Sequence, residues 1–165
     1  VSKRLLKLNV GFLLVNGPSY NDNSEFELPA IQIDDDLTLN YLRGPIRLSR
    51  TTEGILVQAR FETMIDGECT RCLDFVENKI SFEVEELFAN NSRSGTEFYI
   101  DDDMTLDLAP LIRAETLIGA SQALLCRPDC AGLCPDCGVN RNHTACQCEL
   151  ENLDPRFAVL KQLLD

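Results

Sequence analysis

Along the first two-thirds of the chain, apolar residues alternate with polar ones, a period of two that predicts β-strands. Leu6, Leu8, Val10, Phe12 and Leu14 share one parity, with Lys7 and Asn9 on the other, so residues 6–14 read as a strand. Gly17-Pro18 ends that run, and Ser19 to Glu25 reads as a polar loop. Ile31 and Ile33, then Leu37, Leu39 and Tyr41, give two short alternating segments around the turn Asp34-Asp35-Asp36. Gly44-Pro45 reads as another break before Ile46 and Leu48. Alternation is strongest from Ile55 to Ile65, where Ile55, Val57, Ala59, Phe61 and Ile65 oppose Gln58, Arg60 and Glu62, although Leu56 and Met64 depart from it. The phase reverses at Val76, Ile80, Phe82 and Val84, which oppose Glu77, Lys79, Glu83 and Glu85. Two such runs joined by Gly67 to Asp74 predict a long antiparallel hairpin with one wet face and Cys69-Thr70-Arg71-Cys72 at its tip.

The period then changes. After a loop around Asn90 to Gly95 and a short Phe98-Tyr99-Ile100 segment, Asp107 and Pro110 supply cap and first-turn signals for a helix. Leu108, Leu111, Ile112, Leu117, Ile118 and Leu124 give it a broad apolar face, and the pattern stops near Leu125. Asp154-Pro155 predicts a last helix with Phe157, Leu160, Leu163 and Leu164 as its stripe. The expected fold class is α+β: an antiparallel β-sheet or partly closed barrel with a long hairpin, one packing helix, a C-terminal cysteine-rich zinc segment and a short terminal helix. Residues 1–125 supply sheet and helix, and residues 126–165 supply the zinc-binding segment and C-terminal helix, packed on the same domain.

Composition supports a globular chain: 165 residues, 44% hydrophobic and 25% charged. Its charge narrows the partners. With 27 acidic and 15 basic side chains the net charge is −12, which opposes broad contact with a polyphosphate surface and favours basic partners such as ribosomal proteins. The apolar stretch Val10 to Val15 is too short to span a membrane and is followed by no cleavage pattern, so a cytoplasmic protein with no membrane partner is expected.

The eight cysteines carry the chemistry. They fall into close pairs, Cys69-x2-Cys72, Cys126-x3-Cys130, Cys134-x2-Cys137 and Cys146-x-Cys148, a spacing that suits zinc in a reducing compartment better than disulfides. Cys134-Pro135-Asp136-Cys137-Gly138 has the makeup of a metal knuckle: proline fixes the turn, and glycine after the second thiol permits positive φ. Eight thiols match one or two zinc ions, two being the better fit. Loop closure favours Cys134, Cys137, Cys146 and Cys148 as one site, leaving Cys69, Cys72, Cys126 and Cys130 as the other. A rival split joins the two x2 knuckles, and a third option fills one site only. His143, the only histidine, is an alternative ligand or an exposed loop residue. A closed four-thiolate site has no open position for water or substrate, and the Cys69–Cys72 pair lies between antiparallel strands instead of in a βαβ redox context. The chain is therefore expected not to be an enzyme and to have no small-molecule substrate.

Other features read as structural or as contact surfaces. The triplets Asp34 to Asp36 and Asp101 to Asp103 lack the spacing of a calcium loop and read as solvated turns. Arg43, Arg47, Arg50 and Arg60 form either a local patch for RNA or partner contact, or a set of surface ion pairs with nearby glutamates.

Taken in order, a series of motifs resembles the YceD family, linked to accumulation of large-subunit (23S) ribosomal RNA. They are Gly44-Pro45-Ile46-Arg47-Leu48 with Arg50-Thr51, Cys69-Thr70-Arg71-Cys72-Leu73, and Asp107-Leu108-Ala109-Pro110-Leu111-Ile112-Arg113. The run Cys126 to Gly138, then Asn140, Asn142, Cys146-Gln147-Cys148 and Asp154-Pro155-Arg156-Phe157 complete the pattern. The resemblance implies a non-catalytic factor in large-subunit assembly or rRNA stability, with a ribosomal protein or pre-ribosomal large subunit as partner and a contact to rRNA as a further option. The competing expectation is a redox-regulated zinc switch or holdase chaperone.

Overall fold

A computed structural model of the chain describes residues 5–90, 95–121 and 124–148. The central element is a four-stranded antiparallel sheet of β2 (Asn21–Leu28), β5 (Tyr41–Arg50), β6 (Gly54–Glu68) and β7 (Phe75–Ala89), in the order β2-β5-β6-β7. Two small antiparallel pairs flank it: β1 (Lys7–Asn9) with β8 (Thr105–Asp107), and β3 (Ile31–Asp34) with β4 (Leu37–Leu39). Among the described residues the helices are α1 (Gly11–Val15) and α2 (Ala109–Ala120), the second packing on β7. Among the described residues no ladder joins β2 to β7, so the sheet is open.

The longest pair is also the most legible in sequence. β6 and β7 run in unbroken register from Gly54↔Ala89 to Glu68↔Phe75, and residues 69–74 join them. One face buries Ile55, Val57, Phe61, Ile80, Val84 and Phe88 under α2 and the small pairs, while Arg60, Glu62, Glu83 and Glu85 stand in water on the other. Phe61 is 1% exposed and meets Phe26 and Phe82 edge-on, with ring centroids 5.7 and 6.0 Å away.

Four sequence expectations need correction. The N-terminal run is a strand only over Lys7–Asn9 and then turns into α1, which buries Leu13 fully and leaves Phe12 exposed, the reverse of the alternating expectation. The expected polar loop from Ser19 is an edge strand from Asn21 onward, where eight-residue pairing with β5 overrides poor strand propensity. Gly44-Pro45 does not break β5. Gly44 takes φ +143 against the Arg60 backbone, and Pro45, which has no N–H, sits where the β5–β6 ladder skips a pair of positions. Finally, α2 ends at Ala120, short of Leu125, with Ser121 donating back to the Leu117 and Ile118 carbonyls.

Pro110 stands in the first turn as expected, but the N-cap position is Leu108, which makes no side-chain cap bond; Asp107, one residue earlier, accepts from the Ala109 N–H at 2.9 Å through Oδ1. Arg113 of α2 pairs with Asp34 (3.7 Å) and Asp36 (2.6 Å), which gives the first acidic triplet a structural role. In the second, Asp101 pairs with Lys7 and Asp103 accepts from the Thr105 hydroxyl at 2.6 Å. The expected helix after Asp154 lies outside the described residues.

Candidate metal centre

Two chain segments meet at the far end of the β6–β7 pair. Past Glu68 the chain makes a tight turn in which Cys69 N–H bonds to the Asp74 carbonyl (2.8 Å) and Leu73 N–H to the Cys69 carbonyl (2.9 Å). This turn is fastened to the segment that follows α2 by Thr70 N–H donating to the Leu124 carbonyl at 2.8 Å. Cys126 and Cys130 are thereby brought over Cys69 and Cys72, and Val76 and Leu125 pack against the cluster.

The Sγ atoms of Cys69, Cys72, Cys126 and Cys130 all lie within 4.8 Å of one another, and so do those of Cys134, Cys137, Cys146 and Cys148. This is the grouping favoured by loop closure. Within the first group, Cys69 to Cys130 is 3.8 Å and Cys72 to Cys126 is 3.6 Å. A tetrahedral zinc with Zn–S of about 2.3 Å requires sulfur–sulfur edges of about 3.8 Å. A disulfide requires about 2.05 Å. The separations therefore fit four thiolates around one ion, and all eight cysteines are free.

Local electrostatics favour ionised sulfur at Cys69 and Cys130 in the first group, the latter through its hydrogen bond from Asn142, and at Cys134 in the second. Burial opposes charge at Cys69, but the N–H groups of Cys126, Arg71 and Cys72 outweigh it and bring the thiol down to about 6. At Cys134 the N–H groups of Cys137 and Asp136 bring it down to about 7. Burial, with neighbouring sulfurs adding to it, pushes Cys72 upward. Hydrogen bonds to the Cys137 and Cys134 sulfurs, which keep the proton on Cys148, push that thiol up to about 12, with burial adding to the effect. Such a split is what four crowded sulfurs show without a cation, since they cannot all ionise together.

The second group follows directly from the knuckle sequence. Gly138 N–H bonds to the Cys134 carbonyl (2.9 Å), Cys134 N–H to the Val139 carbonyl (2.8 Å), and Gly138 takes φ +73. The first knuckle has the same shape with Leu73 (φ +63) in the glycine position.

His143 is in neither group. It is exposed, with Nε2 3.3 Å from Asp74 Oδ2. Three residues that the sequence did not single out for a role surround the thiols: Asp74, Asn140 and Asn142. Asn140 and Asn142 entered the sequence reading only as members of the family pattern, and the Asn140–Asp74 contact joins segments distant in sequence.

The four arginines separate. Arg43, Arg47 and Arg60 stand on the wet face, whereas Arg50 is half-buried and donates to the Gly54 carbonyl and Asn90 Oδ1, both at 2.9 Å. Arg43 pairs with Glu62 at 2.9 Å, and Arg60 pairs with Glu83. The groove around Arg47, about 630 Å³, also contains Glu25, Glu83 and Glu85, so its charge is mixed.

Among the described residues no helix is long and apolar enough to cross a membrane. The family model described as large ribosomal RNA subunit accumulation protein YceD matches residues 57–164, which include every cysteine. The chain is 33% identical over 149 residues to uncharacterized proteins of Mycobacterium bovis and Mycobacterium tuberculosis, a match covering 83% of this chain and 67% of theirs. An uncharacterized protein of Mycobacterium leprae is 29% identical over 130 residues, covering 72% of this chain and 57% of its own. No solved structure matches.

Proposed function

The chain belongs to the YceD family, and from that premise we propose a non-catalytic zinc-binding factor that supports accumulation of 23S rRNA and assembly of the large ribosomal subunit. The observation that carries the zinc part is the pair of four-sulfur groups, with sulfur–sulfur separations of 3.6 and 3.8 Å in the first. Zinc bound there would supply a structural crosslink. Cys69 and Cys72 hold it from the tip of β6–β7, Cys126 and Cys130 from the chain after α2, and Cys134, Cys137, Cys146 and Cys148 form the second site. Four protein ligands close each site, which disfavours catalysis by the metal.

The partner follows from charge. A net charge of −12, deepened by about −2 for each zinc held by four thiolates, selects a basic partner, and in the setting of the family this is a ribosomal protein or a pre-ribosomal large subunit. Fixed by metal, the tip and the cysteine-rich segment form a rigid docking surface in the cytoplasm. The arginines of the wet face make at most a local contact to rRNA, since Arg43 and Arg60 are already paired with glutamates. Affinity purification from low-salt lysate should recover large-subunit proteins or precursor particles, and depletion should lower 23S rRNA relative to 16S. Recovery of neither, with an unchanged rRNA ratio, contradicts the reading.

One observation favours a second reading, the redox-regulated switch or holdase. Cys126 and Cys137 are exposed, and each lies within 4.8 Å of a thiol with depressed pKa, Cys69 or Cys134. Peroxide that releases zinc and produces aggregation-suppressing activity would support it; retained metal and no such activity would dismiss it.

A further inference from the structure

Resting on the zinc reading, we propose that the two sites load as one cooperative unit, with Asn140 and Asn142 as the positioning residues that couple them. Both asparagines lie between Cys137 and Cys146, in the loop that the second site closes. Their side chains, however, serve the first site. Asn142 Oδ1 accepts from Arg127 Nη2 (2.7 Å) and from the Ala131 N–H (2.8 Å), and Asn142 Nδ2 donates to Cys130 Sγ at 3.3 Å. One amide thus spans the turn that presents Cys126 and Cys130 and also donates to a ligand sulfur. Asn140 Oδ1 accepts from the Asn142 N–H (3.0 Å), while Asn140 Nδ2 donates to Asp74 Oδ1 (3.0 Å), two residues past Cys72.

The main chain continues the connection. Arg141 N–H donates to the Gly132 carbonyl, and Leu133 N–H donates to the Arg71 carbonyl between the first two thiols, both at 2.9 Å. Both ligand-bearing segments of the first site are therefore held by the loop of the second.

Coupling follows from the cost of ordering. The second site closes over residues 134–148 and the first over residues 69–130, so chain entropy favours filling the second before the first. Once residues 138–145 are ordered, the Asn140 and Asn142 contacts are in place, and the first site pays less to assemble around its ion. Linkage makes the effect reciprocal: an ion in the first site tightens the second by the same factor.

Cobalt(II), followed through its thiolate charge-transfer bands, tests this in the reduced 165-residue chain titrated against a competing chelator. Cys137→Ser/Cys148→Ser isolates the first site, and Cys69→Ser/Cys72→Ser isolates the second. Each should bind about tenfold or more weakly alone than in the intact chain. Asn142→Asp keeps the acceptor for Arg127 and Ala131 but replaces the donor to Cys130 with a carboxylate. Asn140→Asp does the same to the bond with Asp74. With all eight cysteines present, each should weaken the first site by a similar factor, with far-UV circular dichroism still reporting the sheet. Equal affinities alone and together, or aspartate variants that leave the first site unchanged, overturn the coupling while the zinc reading stands. No cobalt bands in the wild-type chain would remove both.

Discussion

At Gly44 a Cβ would lie 2.0 Å from the Arg60 carbonyl oxygen, on a backbone already at φ +143. Gly44→Ala should therefore cost more than about 2 kcal/mol in urea denaturation, because a backbone atom must give way. Leu73 makes the opposite case. It holds the left-handed conformation that its counterpart Gly138 adopts freely, and its side chain is exposed. Leu73→Gly relieves about 1–2 kcal/mol of backbone strain and adds about 0.5–1 kcal/mol of unfolded-state entropy. The melting temperature should hold steady or rise slightly; a marked fall would show that the leucine packs. The cysteines and the Cys134 knuckle were legible at this scale because turn chemistry is local. The roles of Asn140 and Asn142 were not, because the Asn140–Asp74 bond exists only after segments far apart in sequence meet, and the Asn142 bonds to Arg127, Cys130 and Ala131 only after the loop folds back.

Among the elements, β6 and β7 declared themselves through long alternation that must bury one face, and α2 through Asp107, Pro110 and its apolar spacing. Phe61 lies at the centre of that buried face, so Phe61→Ala should cost about 3–5 kcal/mol in thermal or urea unfolding. β2 was illegible because its residues are mostly polar and only Phe26 and Leu28 reach the core; its strand state comes from its neighbour. α1 was misread for a related reason. Val10 and Phe12 to Val15 are all apolar, so alternation could not say which residue turns inward, and burial of Leu13 decides for a helix. The end of α2 was overestimated because Leu124 fits the helical stripe by spacing, yet Leu125 packs against the first thiol cluster.

For the whole molecule, the central claim is that a sheet-based fold is completed by metal at one end. On the proposed reading, zinc at the first site would join the β6–β7 tip to the chain after α2, so a chelator should lower the melting temperature and expose residues 124–148 to protease before the sheet unfolds. Acid acts in the same direction. Each cysteine thiol must lose its proton to hold metal, so zinc affinity falls as pH falls, and release measured with a zinc-sensitive dye should parallel the loss of stability.

Zinc content measured by elemental analysis and native mass spectrometry, on the protein purified under reducing conditions, is the most direct test of this claim. Two zinc ions per chain, with thiols that react only after chelation, are predicted. A stably folded, metal-free chain with eight freely reactive thiols, or with its cysteines joined as disulfides, would contradict it.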